Sequence, residues 1–371
     1  MAVLVVGRRE CREIREAGAT QWPAGPADDS VARRAFNRRP MLKPPRPRPL
    51  AAALLLLLTG CMGHGAVPLT RWPPPPPVVT SGAFAMPDGA RLPYRQWLPD
   101  GEPAAVVLAL HGMNDSRDAW EIPAADFARA GIAVFAPDQR GFGEAPGRGF
   151  WPGDAALVAD ARTMADTLRR RYPRARLILM GESMGAAVLM CLATGADPPP
   201  ADGYVLVAPA VWGRAEMNIL LRASLWLATG IAPGLELTGA PVRKVASSNR
   251  AAIVRLSTDP LTIRRTRVDA VHGLVDLMDA ALAAAPRFSA PALFLYGGHD
   301  ELVPDAATAA TWRALPAGER RAFYPNGYHL LLRDLDRARP IGDIEAWIRD
   351  PASPLPSGAE PAARQWLGQQ D

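Results

Sequence analysis

Short apolar runs and amphipathic stretches alternate along the chain from about residue 82 to residue 350. Five runs of strand length are almost continuously hydrophobic, which is typical of parallel strands buried on both faces. These runs are Ala104–Leu110, Ile132–Ala136, Leu177–Met180, Tyr204–Ala208 and Ala292–Tyr296. Five helical stretches lie between or after them, at about Arg117–Ala130, Ala155–Arg171, Gly185–Thr194, Ala306–Leu315 and Leu330–Ile348. The alternation predicts an α/β fold with a mostly parallel central sheet and helices on both faces.

Two segments depart from this alternation. The segment from Gly82 to Leu98 has the pattern of a β-hairpin whose turn is Pro87-Asp88-Gly89. Residues 211–287 contain several amphipathic helical stretches and no clear strand, and they separate two strands of the sheet. We therefore expect an inserted, all-helical cap above one edge of the sheet. Residues 351–371, which follow the last helical stretch, are expected to form a C-terminal tail.

Residues 41–61 have the parts of a secretory signal peptide. Three basic residues precede an apolar run of nine residues, Leu50 to Leu58. A membrane-spanning helix needs about 20 apolar residues, so this run is too short to be a transmembrane anchor. Because Met41 begins the signal, we expect translation to start there and residues 1–40 to be dispensable.

The end of this signal, Leu58-Thr59-Gly60-Cys61, resembles the lipobox of bacterial lipoproteins. In that class of protein the signal is removed and the cysteine is diacylated through its thiol. The resemblance implies that residues 1–60 are lost and that Cys61 anchors the protein in the bacterial cell envelope, facing the periplasm, with the outer membrane slightly favoured. A plain signal peptide with a chance cysteine is the alternative. Residues 61–81 then form a tether, in which Pro73–Pro77 favours an extended polyproline II helix.

The net charge of +5 first suggests an anionic partner. Residues 1–60 hold eleven cationic and five acidic side chains, so the remaining chain carries a charge near −1. A chain so close to neutral lacks the excess of positive charge with which nucleic-acid-binding proteins contact phosphates. Hydrophobic residues make up 49% of the chain and charged residues 21%, so a large core can form and wholesale disorder is excluded. Removal of Cys11 and lipidation of Cys61 leave Cys191 alone, without a partner for an intramolecular disulfide.

A candidate nucleophile lies between a predicted strand and a predicted helix. The segment Gly181-Glu182-Ser183-Met184-Gly185 has the pattern G-x-S-x-G, which is typical of a strained turn that lifts a serine above a sheet. The N–H groups at the start of the following helix favour negative charge near Ser183. A serine is a poor nucleophile without a base, so a histidine must come close to it in the fold.

The chain has five histidines, and their positions favour one of them as the base. His64 lies in the tether, His111 ends a strand, His272 belongs to the insertion and His299 adjoins an acid in a turn. His329 follows a late strand and precedes the final helix, where a general base is expected. Asp300 comes after a buried strand in a Gly-rich turn, with Glu301 as the neighbouring alternative. The order Ser183, Asp300, His329 is that of an α/β-hydrolase.

These motifs together resemble the monoglyceride lipase and lysophospholipase branch of the α/β-hydrolases. The matching segments are HGMNDS from His111, DQRGFG from Asp138, GESMG from Gly181, GGHDELVP from Gly297 and GYHLLL from Gly327. The resemblance covers about residues 82–350 and implies an α/β-hydrolase fold with a Ser183–His329–Asp300 triad. It also implies that the backbone N–H groups of Met113 and Met184 bind the oxyanion and that residues 138–143 are structural support.

The motifs predict a serine hydrolase that cleaves carboxylic esters of lipids, of the monoacylglycerol or lysophospholipid type, without a metal or an organic cofactor. Acyl transfer, or hydrolysis of small esters by the same triad, is an alternative within enzymes, and a lipid-binding lipoprotein with a vestigial site is the alternative outside them. The expected partners are the ester substrate and a membrane, through Cys61. The insertion also contains a stripe of apolar residues at helical spacing, which we expect to form the cap's own core. The alternative is that the stripe is a surface that contacts acyl chains or the bilayer. Its members are Met217, Leu220, Leu221, Leu225, Trp226 and Leu227.

Overall fold

The computed structural model describes residues 78–238 and 244–370. The strands are β1 Val78–Ala85, β2 Arg91–Leu98, β3 Ala105–Leu110, β4 Ile132–Pro137, β5 Arg176–Glu182, β6 Gly203–Val207, β7 Glu236–Leu237, β8 Thr266–Arg267, β9 Ala292–Gly297 and β10 Arg320–Tyr324. The helices are α1 Glu121–Arg129, α2 Asp154–Arg171, α3 Met184–Ala193, α4 Ile219–Ile231, α5 Arg250–Thr258, α6 Val268–Ala284, α7 Asp305–Ala314, α8 Ala338–Arg349 and α9 Ala359–Gly368. The predicted signal peptide, the lipidated Cys61 and the proline run lie outside the described residues.

The central sheet has eight strands in the order β1-β2-β4-β3-β5-β6-β9-β10. From β4 to β10 every neighbouring pair is parallel, because helices carry the chain back between strands. β1 and β2 form the predicted hairpin, in antiparallel register from Val78 opposite Leu98 to Ala85 opposite Arg91. β2 then joins β4, also antiparallel. The structure therefore confirms a mostly parallel sheet with an antiparallel hairpin at one edge.

Successive residues of the central strands point to opposite faces of the sheet and fill two separate cores. In β3, Val106 and Leu108 belong to one core, while Val107 and Ala109 belong to the other. The first core is closed by α2, α3, α6, α7 and α9, and the second by α1 and α8. All six residues of β3 are buried, which is why its sequence is continuously apolar. Helices on both faces of the sheet were predicted, and the structure confirms them.

The predicted all-helical cap over residues 211–287 needs two corrections. First, it contains a two-residue antiparallel ladder, in which Glu236 pairs with Arg267. Second, its last helix, α6, is not part of the cap. The apolar face of α6, which includes Val275 and Ala281, is buried in the same core as α3 and the sheet. The segment above the sheet edge therefore ends before α6 begins.

The helix predicted over Leu330–Ile348 is broken in the structure. A single 3₁₀ turn covers Leu331–Arg333, and α8 begins only at Ala338. Asp334, which lies between them, has an extended backbone. Its carboxylate accepts hydrogen bonds from Tyr328 N at 2.7 Å and from Ser247 Oγ at 2.6 Å. These bonds to two other segments hold Asp334 out of a continuous helix.

Residues 351–371 are not a tail, as far as residue 370, where the description ends. They contain α9, which packs against β10 at the edge of the sheet. The ring of Trp366 stacks on that of Phe323, with centroids 4.9 Å apart and an interplanar angle of 17°. Trp366 is 6% exposed and belongs to the main core. The hydrolase domain was predicted to span residues 82–350, but its core extends through α9 because the edge strand β10 needs a cover.

Candidate active site

Ser183 lies on a strained turn that joins β5 directly to α3. Its φ and ψ angles of 55° and −114° fall outside the regions that side chains prefer. A Cβ at Gly181 would lie 2.5 Å from Ala186 N, and one at Gly185 would lie 2.3 Å from Leu110 O. Glycine is therefore required on both sides of the turn, because the helix packs directly onto the strands. The turn places Ser183 at the carboxyl end of β5 and at the N-terminus of α3.

Asp300 and His329 meet at the carboxyl end of the neighbouring strands. Oδ1 of Asp300 accepts hydrogen bonds from Leu302 N at 2.8 Å and Val303 N at 2.9 Å, which fix the carboxylate in its turn. Oδ2 of Asp300 lies 2.7 Å from His329 Nδ1. Both side chains are buried. A carboxylate accepts only, so Nδ1 carries the proton and Nε2 is left with a lone pair.

Burial of the His329 ring favours its neutral form, but the charge of Asp300 and its hydrogen bond to the ring outweigh this effect. The pKa of His329 is therefore raised above its ordinary value. Glu182 also raises this pKa, and Arg333 lowers it. Asp300 thus stabilises the imidazolium form that appears when the ring takes up a proton.

Ser183 and His329 line the same cavity. Part of its lining is apolar, contributed by Trp212, Val271, Leu274, Met278, Leu302 and Val303. Its polar groups are concentrated at the ends of the strands, where Asp115 and Glu182 accompany the serine and the imidazole. An apolar cavity with a few convergent polar groups is the usual form of a site for a small, largely apolar molecule.

Met113 and Met184, whose N–H groups were predicted to bind the oxyanion, lie on the turn after β3 and at the start of α3. Met184 is the first residue of α3, and the first bond of the helical ladder runs from Ala187 N to Ser183 O at 3.1 Å. The N–H of Met184 therefore lies ahead of the ladder, among the amides that a helix leaves without an internal acceptor. Met113 lines the cavity on the turn after β3. The adjacent Gly112 packs so closely that a Cβ there would lie 3.3 Å from Ser183 Cβ.

The predicted supporting residues have structural partners. His111 is buried, its Nδ1 lies 2.8 Å from Gly112 O, and its Nε2 accepts a hydrogen bond from Gln139 N at 3.1 Å. Both ring nitrogens are thus occupied, and burial lowers the pKa of His111, so the ring is a neutral part of the framework. Asp138 accepts hydrogen bonds from Arg117 N and Glu144 N, each at 2.7 Å. It holds the segment that follows β4.

The other candidates lie elsewhere. Oε2 of Glu301 accepts a hydrogen bond from Val245 N at 3.0 Å, and Glu301 is exposed, so Asp300 is the carboxylate that contacts the imidazole. His272 pairs with Asp276 on α6, and the His299 ring lies against Tyr328. His64 is outside the described residues. In residues 78–238 and 244–370, no three His, Cys or acidic side chains gather into a metal-binding group.

One buried cluster was not predicted. The guanidinium of Arg333 donates to Asp115 Oδ2 at 2.8 Å and to Glu182 Oε1 at 2.5 Å, and all three side chains are less than 10% exposed. Each residue lies in or beside a motif identified above, four residues after His329, two after Met113 and one before Ser183. The signal available in the sequence was the presence of charges inside otherwise apolar motifs.

Residues 101–336 match a protein family described as "Serine aminopeptidase, S33". The match covers more than half of the chain. The protein belongs to this family. Its relatives include the monoacylglycerol lipase of Mycolicibacterium smegmatis, 27% identical over 271 residues that cover 72% of this chain and 95% of that protein. The human monoglyceride lipase is 28% identical over 272 residues, which cover 70% of this chain and 88% of that protein.

Solved structures of two lipases show the same fold. A monoacylglycerol lipase from Paleococcus ferrophilus superposes with a TM-score of 0.58 at 22% identity, covering 73% of this chain and 98% of that chain. A soluble variant of monoglyceride lipase from Saccharomyces cerevisiae superposes with a TM-score of 0.62 at 19% identity, covering 76% and 100%. The predicted resemblance is confirmed: the protein is an α/β-hydrolase of the monoacylglycerol lipase type and a carboxylic ester hydrolase.

Proposed function

We propose that the protein hydrolyses the ester bond of a single-chain lipid, a monoacylglycerol or a lysophospholipid, through Ser183, His329 and Asp300. One observation carries this proposal: the imidazole that is held by Asp300 at 2.7 Å faces the same partly apolar cavity as a serine on a strained turn. The relatives named as monoglyceride lipases support a lipid ester as substrate.

The geometry supports a two-step reaction. His329 Nε2 takes the proton of the Ser183 hydroxyl as Oγ attacks the acyl carbonyl, while Asp300 stabilises the imidazolium. The oxyanion is bound by the N–H groups of Met113 and Met184, and a prealigned donor of this kind lowers the barrier by about 3–4 kcal/mol. His329 then gives the proton to the leaving alcohol. Water enters, His329 takes its proton, and the hydroxide cleaves the acyl-enzyme to release the fatty acid and restore Ser183.

The apolar stripe of the cap divides into a packed set and an exposed set, and the exposed set supports contact with a membrane surface. Met217, Leu221 and Leu225 are buried or half-buried and pack against the main core. The other three members, Leu220, Trp226 and Leu227, are 76%, 74% and 53% exposed. The interpretation of the whole stripe as cap core is therefore wrong for these three residues.

The exposed side of α4 is an unusual surface for a protein in water. Ile219 and Ile231, at the two ends of the helix, are also more than two-thirds exposed, so the apolar side chains extend along its whole length. An apolar helix face of this kind favours the interface of a lipid bilayer. The proposal is that α4 rests on the membrane from which the substrate is taken. None of the helices in the described part of the chain is long and apolar enough to cross a bilayer.

The proposal also includes a lipid anchor at Cys61, in the bacterial cell envelope and facing the periplasm. It rests on the sequence of the signal, since Cys61 lies outside the described residues. Its test is mass spectrometry of the mature N-terminal peptide, with a diacylglyceryl group on Cys61 as the expected result. A Cys61→Ala variant should keep only reversible binding through α4, so a wash that leaves the native protein in the membrane fraction should remove it. An unmodified cysteine in the native protein would contradict the anchor.

The substrate is tested with 1-monoacylglycerols, lysophospholipids and a series of p-nitrophenyl esters of increasing chain length. We expect medium and long acyl esters to be hydrolysed faster than acetyl esters. Ser183→Ala should lower kcat by about 10⁶-fold while the far-UV spectrum is unchanged. A preference for acetyl esters would overturn the lipid substrate. Full activity of Ser183→Ala would overturn the mechanism. A lipid ester as the main product would indicate acyl transfer instead of hydrolysis.

A further inference from the structure

Arg333, Asp115 and Glu182 form a buried group, the Arg333 cluster, that connects three separate parts of the site. Asp115 belongs to the turn of Met113, Glu182 is the last residue of β5 before Ser183, and Arg333 ends the 3₁₀ turn that follows His329. The contacts span 218 residues of sequence on one side of the guanidinium and 151 on the other. A single side chain therefore connects the oxyanion turn, the nucleophile turn and the loop of the base.

Burial strengthens the electrostatic effect of the charges in this cluster on their surroundings. The side chains of Arg333, Asp115 and Glu182 are 7%, 8% and 3% exposed, so water screens them little. Two carboxylates face one guanidinium, which leaves the cluster with an excess of negative charge. Burial of Arg333 favours its neutral form, but the charges of Glu182 and Asp115 overcome this and raise the pKa of Arg333, so it is cationic throughout the working range.

We propose that Arg333 is a positioning residue for the hydrolysis described above, which ties the three loops together and sets the electrostatic potential at the His329 ring. This inference rests on the proposed function, because it concerns the same base. Arg333 offsets the field of Glu182 at the imidazole. Without Arg333 the ring faces uncompensated carboxylates and holds a proton more strongly, so less of it is available as a base at neutral pH.

Three ionisable groups determine the charge of the His329 ring. Asp300, after β9, and Glu182, at the end of β5, raise the pKa of the imidazole, and Arg333 lowers it. Asp115, on the turn after β3, lies on the far side of the Arg333 guanidinium. The residues that α6 adds to the cavity wall, Val271, Leu274 and Met278, are apolar. The cluster is thus the part of this field that can be changed without altering the Asp300–His329 bond.

The test is the pH profile of kcat/KM for a soluble p-nitrophenyl ester, whose acidic limb reports the base of the free enzyme. Arg333→Met should move the midpoint of this limb up by about one pH unit, because the uncompensated negative charge of the carboxylates favours the imidazolium. Glu182→Gln, which keeps the size of the side chain, should move it down. The double variant should fall between them. At a fixed pH below the midpoint, a shift of about one unit lowers kcat/KM about tenfold.

Midpoint shifts of opposite direction in Arg333→Met and Glu182→Gln would indicate an electrostatic role. If Arg333 only supported the fold, its substitution would change kcat/KM without moving the midpoint. Arg333→Lys keeps the positive charge but lacks the planar guanidinium that donates to both carboxylates. It should therefore lower kcat and leave the midpoint near that of the native protein. The matched control is Arg140→Met, since Arg140 also bridges two carboxylates, Asp88 and Asp160, away from the cavity. Its midpoint should not move.

The two proposals fail differently. If the native protein does not hydrolyse the ester at all, the proposed function is wrong. If the native protein is active and the midpoints of both Arg333→Met and Glu182→Gln coincide with its own, the role of Arg333 at the imidazole is wrong. Should Arg333→Met not fold, the double variant is compared with Glu182→Gln. Its midpoint should lie above that of Glu182→Gln, and equal midpoints would overturn the role of Arg333.

Discussion

Two regions of the molecule depart in opposite ways from the usual distribution of polar and apolar residues. One is the edge of the sheet where the strands end at the candidate active site, and the other is the exposed side of α4. At the sheet edge, the charged side chains of Asp300, Glu182 and Arg333 are buried, and each has a partner of complementary charge or a hydrogen-bond donor. On α4, Leu220 and Trp226 are about three-quarters exposed. Buried charges and exposed large apolar side chains are the informative exceptions in a globular protein, because both cost free energy in water.

We propose that the two regions have different tasks. Buried and paired charges create a fixed field at the serine and the imidazole, which is useful for moving protons and stabilising an oxyanion. Exposed apolar side chains do nothing for that chemistry, but they lower the free energy of the protein at a lipid surface. If this assignment is right, substitutions at the sheet edge should change catalysis and leave membrane binding intact, and substitutions on α4 should do the reverse.

Among the substitutions that compare the two regions, the largest effect is expected for Asp300→Asn. The amide is similar in size, but it no longer stabilises the imidazolium or fixes the correct tautomer of His329, so kcat should fall about 10⁴-fold. The measurement is steady-state hydrolysis of a p-nitrophenyl ester together with thermal unfolding. Glu301→Gln is the matched control, one residue further on and exposed, and it should change kcat little. Equal loss in the two variants would contradict the assignment of the acid.

A smaller effect is expected for Leu220→Ser/Trp226→Ser on α4. Each exposed apolar side chain that enters a membrane interface contributes on the order of 1 kcal/mol, so vesicle binding should weaken about 10–100-fold. The experiment uses a Cys61→Ser background, so that no lipid anchor contributes, and measures co-sedimentation with phospholipid vesicles. Hydrolysis of a soluble ester should be little changed.

Val79→Ser is the control for α4, because Val79 is 50% exposed on the edge strand β1. Its vesicle binding should equal that of the parent. The membrane role of α4 is wrong if the double variant and this control bind vesicles equally well.

The smallest effect concerns Glu319, a half-buried residue with one buried carboxylate oxygen. Glu319 precedes β10 at the opposite end of the sheet, and its buried Oε2 accepts no hydrogen bond from any described residue. Burial raises the pKa of Glu319 from 4.5 to about 7. The folded state therefore keeps the proton longer than the unfolded state, so the free energy of unfolding falls as the pH rises from 4.5 to about 7.

Glu319→Gln should remove that part of the fall and make the protein more stable than the native form at pH 8. Urea unfolding at pH 5 and pH 8 measures the difference, with Glu301→Gln as an exposed control. If the native protein and Glu319→Gln lose the same free energy of unfolding between the two pH values, the buried carboxylate is not ionising as described.

Local patterns in the sequence were sufficient for most of the sheet and for the edge at which the candidate site residues lie. Ser183, Asp300 and His329 each follow a strand, and parallel strands bring their carboxyl ends to one edge, so position along the chain predicted proximity in space. The same reasoning favoured Asp300 and left Glu301 as the alternative, because both follow β9. Only the structure shows which carboxylate the turn directs to the imidazole.

The features that sequence reasoning missed depend on contacts between distant segments. β10 reads Arg320-Arg321-Ala322-Phe323-Tyr324, which is too polar to stand out as a strand, and without it α9 has no surface to cover. The apolar periodicity of α6 predicts an amphipathic helix but does not say whether it packs on the cap or on α3. The partners of Arg333 are more than 150 residues away in the sequence, so no local pattern reveals them.

Treatment of the protein with a fluorophosphonate, followed by peptide mass spectrometry to locate the adduct, shows which residue is the nucleophile. The prediction is one covalent adduct on Ser183, formed rapidly in the native protein and slowly in His329→Ala, because the imidazole removes the proton of the hydroxyl. An adduct on a different residue, or an unmodified Ser183 in a protein that still hydrolyses esters, would contradict the central claim that this serine is the nucleophile.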